Sequence, residues 1–145
     1  FISSTFWTEG IGPTAAIETL KIMENKKSWK YITSLGNYVR KKWLDIAKKN
    51  KVKIKVLGIP SLSSFTFLSK NHQAYKTYIT QEMLKKGFLA TTTIYVSMSH
   101  TKQILNKYLK ILDKIFLIIS KCEKGDDIHR YLNSEVSETN FARLN

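Results

Sequence analysis

Apolar residues recur at helical spacing in four stretches of the chain and alternate or cluster in strand-like fashion between them. From Gly12-Pro13 to Asn25, Ala16, Leu20 and Met23 step by four and three with Ile17 beside them, which predicts a first helix. Pro13 suits its first turn, where a missing N–H costs nothing. Asn25-Lys26-Lys27-Ser28 reads as a break, with Ser28 as the cap of the next helix. Trp29, Ile32, Leu35, Val39, Trp43 and Ile46 then mark one stripe of that second helix, running to about Lys49. Lys30, Arg40, Lys41, Lys48 and Lys49 fall mostly on its other faces. That is the pattern of a core helix with a solvated back and Trp anchors; a helix docked on a membrane or partner is the alternative, and the first is the favoured reading.

Val52-Lys53-Ile54-Lys55-Val56 alternates as a half-buried strand does. Gly58-Ile59-Pro60 reads as turn punctuation, and Ser61 to Leu68 as a second strand with Phe65 and Phe67 on one face. An antiparallel hairpin is the simplest arrangement of the two. A third helix is predicted from His72 or Gln73 to Lys86, with Tyr75, Ile79 and Met83 stepping by four and Gly87 as its stop. Phe88-Leu89-Ala90 and Ile94-Tyr95-Val96 read as short strands around Thr91-Thr92-Thr93.

The last long helix should start with Thr101 as N-cap. Ile104, Tyr108, Ile111, Ile115 and Ile118 line one face, widened by Leu105, Leu109, Leu112, Phe116 and Ile119. Beyond Gly125 the chain is polar, with a short helix at Asp127–Leu132. The order predicts an α+β fold, a small mostly antiparallel sheet packed against helices.

The length of 145 residues suits one domain or a piece of a larger one. The chain begins Phe1-Ile2-Ser3 with neither Met nor a basic leader, and it reads as a piece of a longer protein. No apolar run approaches 18 residues, so no membrane-spanning helix is expected. One cysteine, Cys122, excludes an intramolecular disulfide framework and fits a reducing compartment.

Twenty-four basic against eleven acidic residues give a net charge of +13. Arginine stands only at Arg40, Arg130 and Arg143, whereas nucleic-acid readers favour its bidentate contacts. Lysine decorating solvated helix faces accounts for the charge. The alternative is a basic binding module for nucleic acid or an anionic surface, with Tyr and Trp interleaved among the lysines.

Chemistry is sparse. His72, His100 and His129 are far apart, and no Cys/His cluster has metal-ligand spacing. Cys122 has no nucleophile signature and reads as a core or interface thiol. No Gly-rich phosphate loop is present. Glu82, with Lys86 four residues on, reads as an exposed ion pair. The stretch Ser3 to Pro13 gathers hydroxyls and small residues ahead of a helix start, where free N–H groups can hold a phosphate. Plain turn and cap chemistry is the simpler account of it on physical grounds alone.

Four pieces occur in a telling order: Ser4-Thr5-Phe6-Trp7-Thr8-Glu9, Ala15-Ala16-Ile17-Glu18-Thr19-Leu20, Tyr75 through Gly87, and Tyr95-Val96-Ser97-Met98-Ser99-His100-Thr101. In order and spacing they resemble the C-terminal portion of the class III, fold-type-I pyridoxal-phosphate aminotransferases, nearest the glutamate-1-semialdehyde 2,1-aminomutase-like branch. The resemblance runs from Phe1 to about Cys122. It implies that residues 1–26 end a large domain and form an interdomain helix, that 27–122 form a C-terminal small domain, and that 123–145 are a polar tail.

The resemblance further implies that Thr5 crosses a dimer interface to donate to the phosphate of pyridoxal 5'-phosphate in the partner subunit, with Ser4 a weaker contact. Ser4 stands where the family often has Gly, and Trp7-Thr8-Glu9 replaces the usual Ser/Gly-Gly-Asn, which alters the local pocket shape. Lys102-Gln103 replaces common acidic residues at a helix start, where lysine is mildly unfavourable. In the family the cofactor-binding lysine and the acid beside the pyridinium lie upstream, so no catalytic residue is assigned here and this stretch alone is expected to be inactive. The intact protein so implied is a cytoplasmic homodimeric aminotransferase or aminomutase (an isomerase) moving an amino group on a small amino or oxo substrate, with no membrane or nucleic-acid partner.

Overall fold

In the computed structural model, which describes residues 8–138, the periodicities resolve into helices α1 (Ile11–Lys26), α2 (Ser28–Lys49), α3 (His72–Lys85) and α4 (Lys102–Cys122). Strands β1 (Ile54–Ile59), β2 (Leu62–Phe67) and β3 (Thr93–Tyr95) form one antiparallel sheet in the order β1-β2-β3. A single 3-10 turn, Ile128–Tyr131, comes after α4. This is the α+β fold that the pattern predicts.

The core forms where α2, α3 and α4 meet the inner face of the sheet. Register places Ile54 opposite Phe67, Val56 opposite Phe65, and Ser63 opposite Ile94, so these residues share that face. Phe65 and Phe67 meet Trp43 of α2 (centroids 4.8 Å from Phe65), Tyr75 of α3 (5.3 Å from Phe67) and Phe116 of α4 (5.4 Å from Phe67). Edge-to-face and tilted pairs of this kind add to the burial of the rings. Tyr75, Ile79 and Met83 are wholly buried, as their spacing predicts.

Several local expectations need correction. Ser28 is the first residue of α2 and not its cap. Lys27 turns the corner in the left-handed region (φ 48°, ψ 44°), and α1 and α2 leave no room for an extended capping residue. β1 continues through Gly58 and Ile59, and the turn shrinks to Pro60-Ser61. Gly58 permits this because its φ is +79° and a Cβ there would sit 2.3 Å from the Leu62 carbonyl oxygen. Phe88-Leu89-Ala90 is loop, with Leu89 almost fully exposed. Trp43 is a core anchor but Trp29 is 45% exposed, because the first turn of α2 overhangs the core.

α4 buries Leu105, Leu109, Leu112, Phe116 and Ile119, while Ile104 is exposed and Ile111 and Ile118 are only half-buried. Its apolar surface is wider than one contact, and packing between α2, α3 and the sheet selects the middle of it. Thr101 caps α4 as predicted, accepting from the Ile104 N–H at 3.2 Å. Gly87, at φ 78°, lies just past α3 as its stop.

Candidate functional site

Ser4 and Thr5 lie outside the described residues. What can be described is the helix they lead into. Gly10 caps α1 without any side-chain bond, and no acidic residue stands in the first turn. Among the described residues nothing lies within 4 Å of where a Cβ would project from Gly10 or Gly12. The first turn of α1 is exposed, and a helix dipole favours an anion at such an end.

α1 buries none of its residues. At 100° per residue, Ala16, Ile17, Leu20 and Met23 lie on one side of it and Ile11, Ala15 and Ile22 on the other. Ile11, Ile17, Leu20, Ile22 and Met23 are all exposed. A solvated surface helix carries one apolar stripe; two opposed stripes belong to a helix covered on both sides.

The sheet leaves a second apolar surface uncovered. On its outer face Ile59 (63% exposed), Leu62 (40%) and Tyr95 (71%) are directly opposed across the three strands, with Leu57 beside them. This row and α1 are brought to one end of the fold. Tyr31, in the first turns of α2, donates its hydroxyl to the His100 carbonyl at 2.9 Å. The Pro60-Ser61 turn presses on Gly36 of α2, and the Val96 N–H donates to the Ser61 carbonyl at 2.9 Å. An exposed apolar row such as that on the outer sheet face marks an interaction face.

Beside it, between β3 and the start of α4, lies a hollow of about 310 Å³ lined by Phe88, Ala90, Tyr95, His100, Ile104 and Tyr108 among others. Two of its polar groups are engaged within the fold. The His100 Nδ1 lies 3.1 Å from the Ser97 N–H, which donates to it, and 2.9 Å from the Ser97 hydroxyl. The Tyr108 hydroxyl accepts from the Trp43 indole N–H at 3.1 Å. Burial drives the Tyr108 phenol far above its ordinary range, and the Trp43 bond only partly opposes that.

Glu82 and Cys122 serve the fold. Glu82 pairs with Lys85 at 2.6 Å and not with Lys86. Lys86 has left the helical line as the C-cap of α3 (φ −102°, ψ 11°). Burial works against the charged Glu82, but bonds from Lys85 and Gln81 outweigh it and hold the carboxyl below its usual value. Cys122 is buried, and burial, then the nearby Asp126, Asp127 and Glu123, push its thiol up, which is the reverse of nucleophile activation. Among the described residues no three His, Cys, Asp or Glu side chains gather as a metal site. None of the described helices is long and apolar enough to cross a membrane. Lysines in the groove between α2 and α4 stand beside acids: Lys49 pairs with Asp113 at 2.5 Å, and Lys42 with Asp45 at 3.7 Å. The groove is a mixed-charge surface and not a basic track for phosphates.

No protein-family model matches the chain, and no curated protein matches it. A solved structure does: the PLP internal aldimine form of the FumI protein of Sphingopyxis sp. MTA144, with a TM-score of 0.74 at 19% identity over 90% of this chain. The likeness shows that the two share this fold. The chain spans about a third (32%) of the length of that protein's chain.

Proposed function

We propose that the chain is the C-terminal small domain, with its entering interdomain helix, of a pyridoxal-phosphate-dependent aminotransferase or aminomutase of the class III, glutamate-1-semialdehyde aminomutase-like kind. The observation that carries this is the backbone match over 90% of the chain to a protein solved with PLP. The ordered motifs from Ser4 to Thr101 point the same way. The uncovered α1 and outer sheet face are what such a domain would turn toward the other two-thirds of the protein.

When bound, the coenzyme would supply the electron sink for moving an amino group on a small amino or oxo substrate. This chain's part is to bind and position. Thr5, with Ser4 as a weaker contact, would donate to the phosphate held mainly by the partner subunit of a cytoplasmic homodimer. The exposed, acid-free first turn of α1 is compatible with an anion nearby. The amino-group chemistry itself belongs to residues upstream of these.

The test is the full-length protein, expressed from its whole coding sequence with pyridoxal phosphate supplied. The expected result is the visible absorbance of a lysine-bound coenzyme, lost on adding candidate amines. A colourless protein, or an upstream region without a lysine-bearing cofactor domain, overturns the proposal. Thr5→Val should weaken coenzyme retention while leaving α-helical content unchanged.

A further inference from the structure

His100 stands between β3 and α4, and the fold uses all but one of its polar atoms. Its main-chain N–H donates to the Ser97 carbonyl at 3.2 Å, and its own carbonyl accepts from the Tyr31 hydroxyl at 2.9 Å. The ring Nδ1 accepts from the Ser97 N–H at 3.1 Å. A main-chain N–H can only donate, so Nδ1 offers a lone pair there and the proton of the neutral ring sits on Nε2. The Ser97 hydroxyl, 2.9 Å from Nδ1, accepts in turn from the Ser99 N–H at 3.3 Å. The ring is thus oriented by its own turn. Its Nε2–H has no partner among the described residues.

This ring is part of the lining of the hollow between β3 and α4. With Nδ1 committed to Ser97, the polar edge it can offer a ligand is the Nε2–H edge. Apart from Thr93 and the Tyr95 hydroxyl, the other side chains of the lining are apolar or aromatic, and none is Lys, Arg, Asp or Glu. The Phe88 and Tyr108 rings meet at 6.3 Å, tilted by 52°. Tyr108 contributes its ring alone, since its hydroxyl is bonded to Trp43. The hollow measures about 310 Å³. An apolar cavity of roughly 150 Å³ takes up benzene, so one ring with a short branched substituent has room here. A charged ligand would lose its hydration with no counter-charge to replace it, whereas one neutral acceptor is matched by the one donor.

We propose that this hollow binds a small, neutral, ring-bearing molecule whose carbonyl oxygen accepts from the Nε2–H of His100. The donor is held in place before the ligand arrives, so little ordering remains to be done on binding. The ligand's apolar part gives cover to Leu89, Tyr95 and Ile104, which are 96%, 71% and 44% exposed. An apolar lining with few convergent polar groups is the usual make-up of small-molecule pockets. The inference does not rest on the amino-transfer reading.

The probes are acetophenone, its isostere α-methylstyrene, in which a methylene replaces the oxygen, and the anion benzoate. Titration is followed by proton–nitrogen correlation NMR of the chain. Acetophenone should shift the amides of Ala90, His100 and Ile104 with a dissociation constant of order millimolar, and leave Leu57 and Ile59 of the outer sheet row unmoved. Benzoate should bind several-fold more weakly. His100→Phe should cut the preference for acetophenone over α-methylstyrene by about three- to tenfold. Ala90→Leu, which fills the hollow, should abolish the shifts by both while helical circular dichroism is kept. No shift at Ala90 and His100, or equal shifts on the outer row, would show that the hollow is not a site. An unchanged preference in His100→Phe would remove the donor's role, and benzoate binding as tightly as acetophenone would overturn the neutral assignment. Should His100→Phe fail to fold, the parent decides: acetophenone must bind at least as tightly as the more apolar α-methylstyrene, which burial alone would favour. Should self-association broaden the spectra, Leu20→Glu with Ile22→Lys supplies the chain for titration, since α1 buries none of its residues.

Discussion

Gly36 has the least room for a Cβ of the glycines in the fold, and replacing it with alanine tests how α2 is seated. An exposed mid-helix Gly→Ala change ordinarily stabilises by about 1 kcal/mol, through chain entropy and better solvation of the helix. At Gly36 a Cβ would lie 1.9 Å from the Pro60 carbonyl oxygen, 2.4 Å from its carbon and 3.0 Å from its Cα. All three are backbone atoms of the hairpin turn, so no side chain can swing aside. Restoring ordinary contact needs a shift of roughly 1.5 Å or more between α2 and the turn, against a core at crystal-like density.

That shift would also strain the bonds that tie the turn down. Arg40 donates to the Gly58 carbonyl at 2.5 Å, and the Ser63 hydroxyl donates to the Ile59 carbonyl at 2.9 Å. Overpacking typically costs about 1–3 kcal/mol, and the lost bonds add to it. The net expectation for Gly36→Ala is a loss of about 2–3 kcal/mol after the propensity gain is subtracted. Urea unfolding monitored by circular dichroism measures it. Gly12→Ala is the internal control, since nothing lies near a Cβ there; it should be neutral or mildly stabilising. A Gly36→Ala protein as stable as the parent would refute the seating of α2 on Pro60.

Tyr108→Phe should cost about 1–3 kcal/mol, because it strands the buried Trp43 N–H without a partner; thermal unfolding reports it, and an unchanged midpoint contradicts the bond. Burial, first, lifts the phenols of Tyr75 and Tyr78 to about 12 from 10.0, with the Glu123 bond adding at Tyr75 and the Glu82 charge at Tyr78. The unfolded chain then loses these protons before the folded one, so stability is intact below pH 10 and falls between pH 10 and about 12, which urea midpoints measured across that range will show. At the acid end, burial disfavours the Asp113 anion, but bonds from Lys49 and Asn50 outweigh it and lower its titration. Its stabilisation is therefore present above the ordinary aspartate value and lost below it, so the stability gap between the parent and Asp113→Asn should close as pH falls. The isolated chain should self-associate through α1, and Leu20→Glu with Ile22→Lys should shift its sedimentation toward the monomer; a monomeric parent at high concentration speaks against exposed stripes as sticky surfaces.

Helix positions and the hairpin are legible in the sequence because period and partner agree: Tyr75, Ile79 and Met83 step by four and are buried together. The buried side of α4 is not legible, since Ile104, Ile111 and Ile118 are as apolar as Leu105, Leu112 and Ile119 and only the neighbours choose between them. Gly58 reads as punctuation, yet it sits in a strand, because a positive φ can occur within paired backbone as well as at a turn. Gln73, Thr77 and Gln81 are visible as polar residues four apart on α3, which are usually solvated, and only the path of the chain after Gly125 reveals their main-chain partners at Tyr131, Asn133 and Ser137. For the candidate site, the sequence motifs point to Ser4 and Thr5, which lie outside the described residues; those described contribute a helix start without acidic residues and two uncovered apolar faces.

The corner at Lys27 makes α1 a lever. Sixteen residues rise about 24 Å from that pivot, so a 5° change at the bend sweeps the far end by roughly 2 Å. Whatever grips the distal turns of α1 therefore acts on the rest of the fold with mechanical advantage, and one lysine backbone sets the angle at which the force arrives.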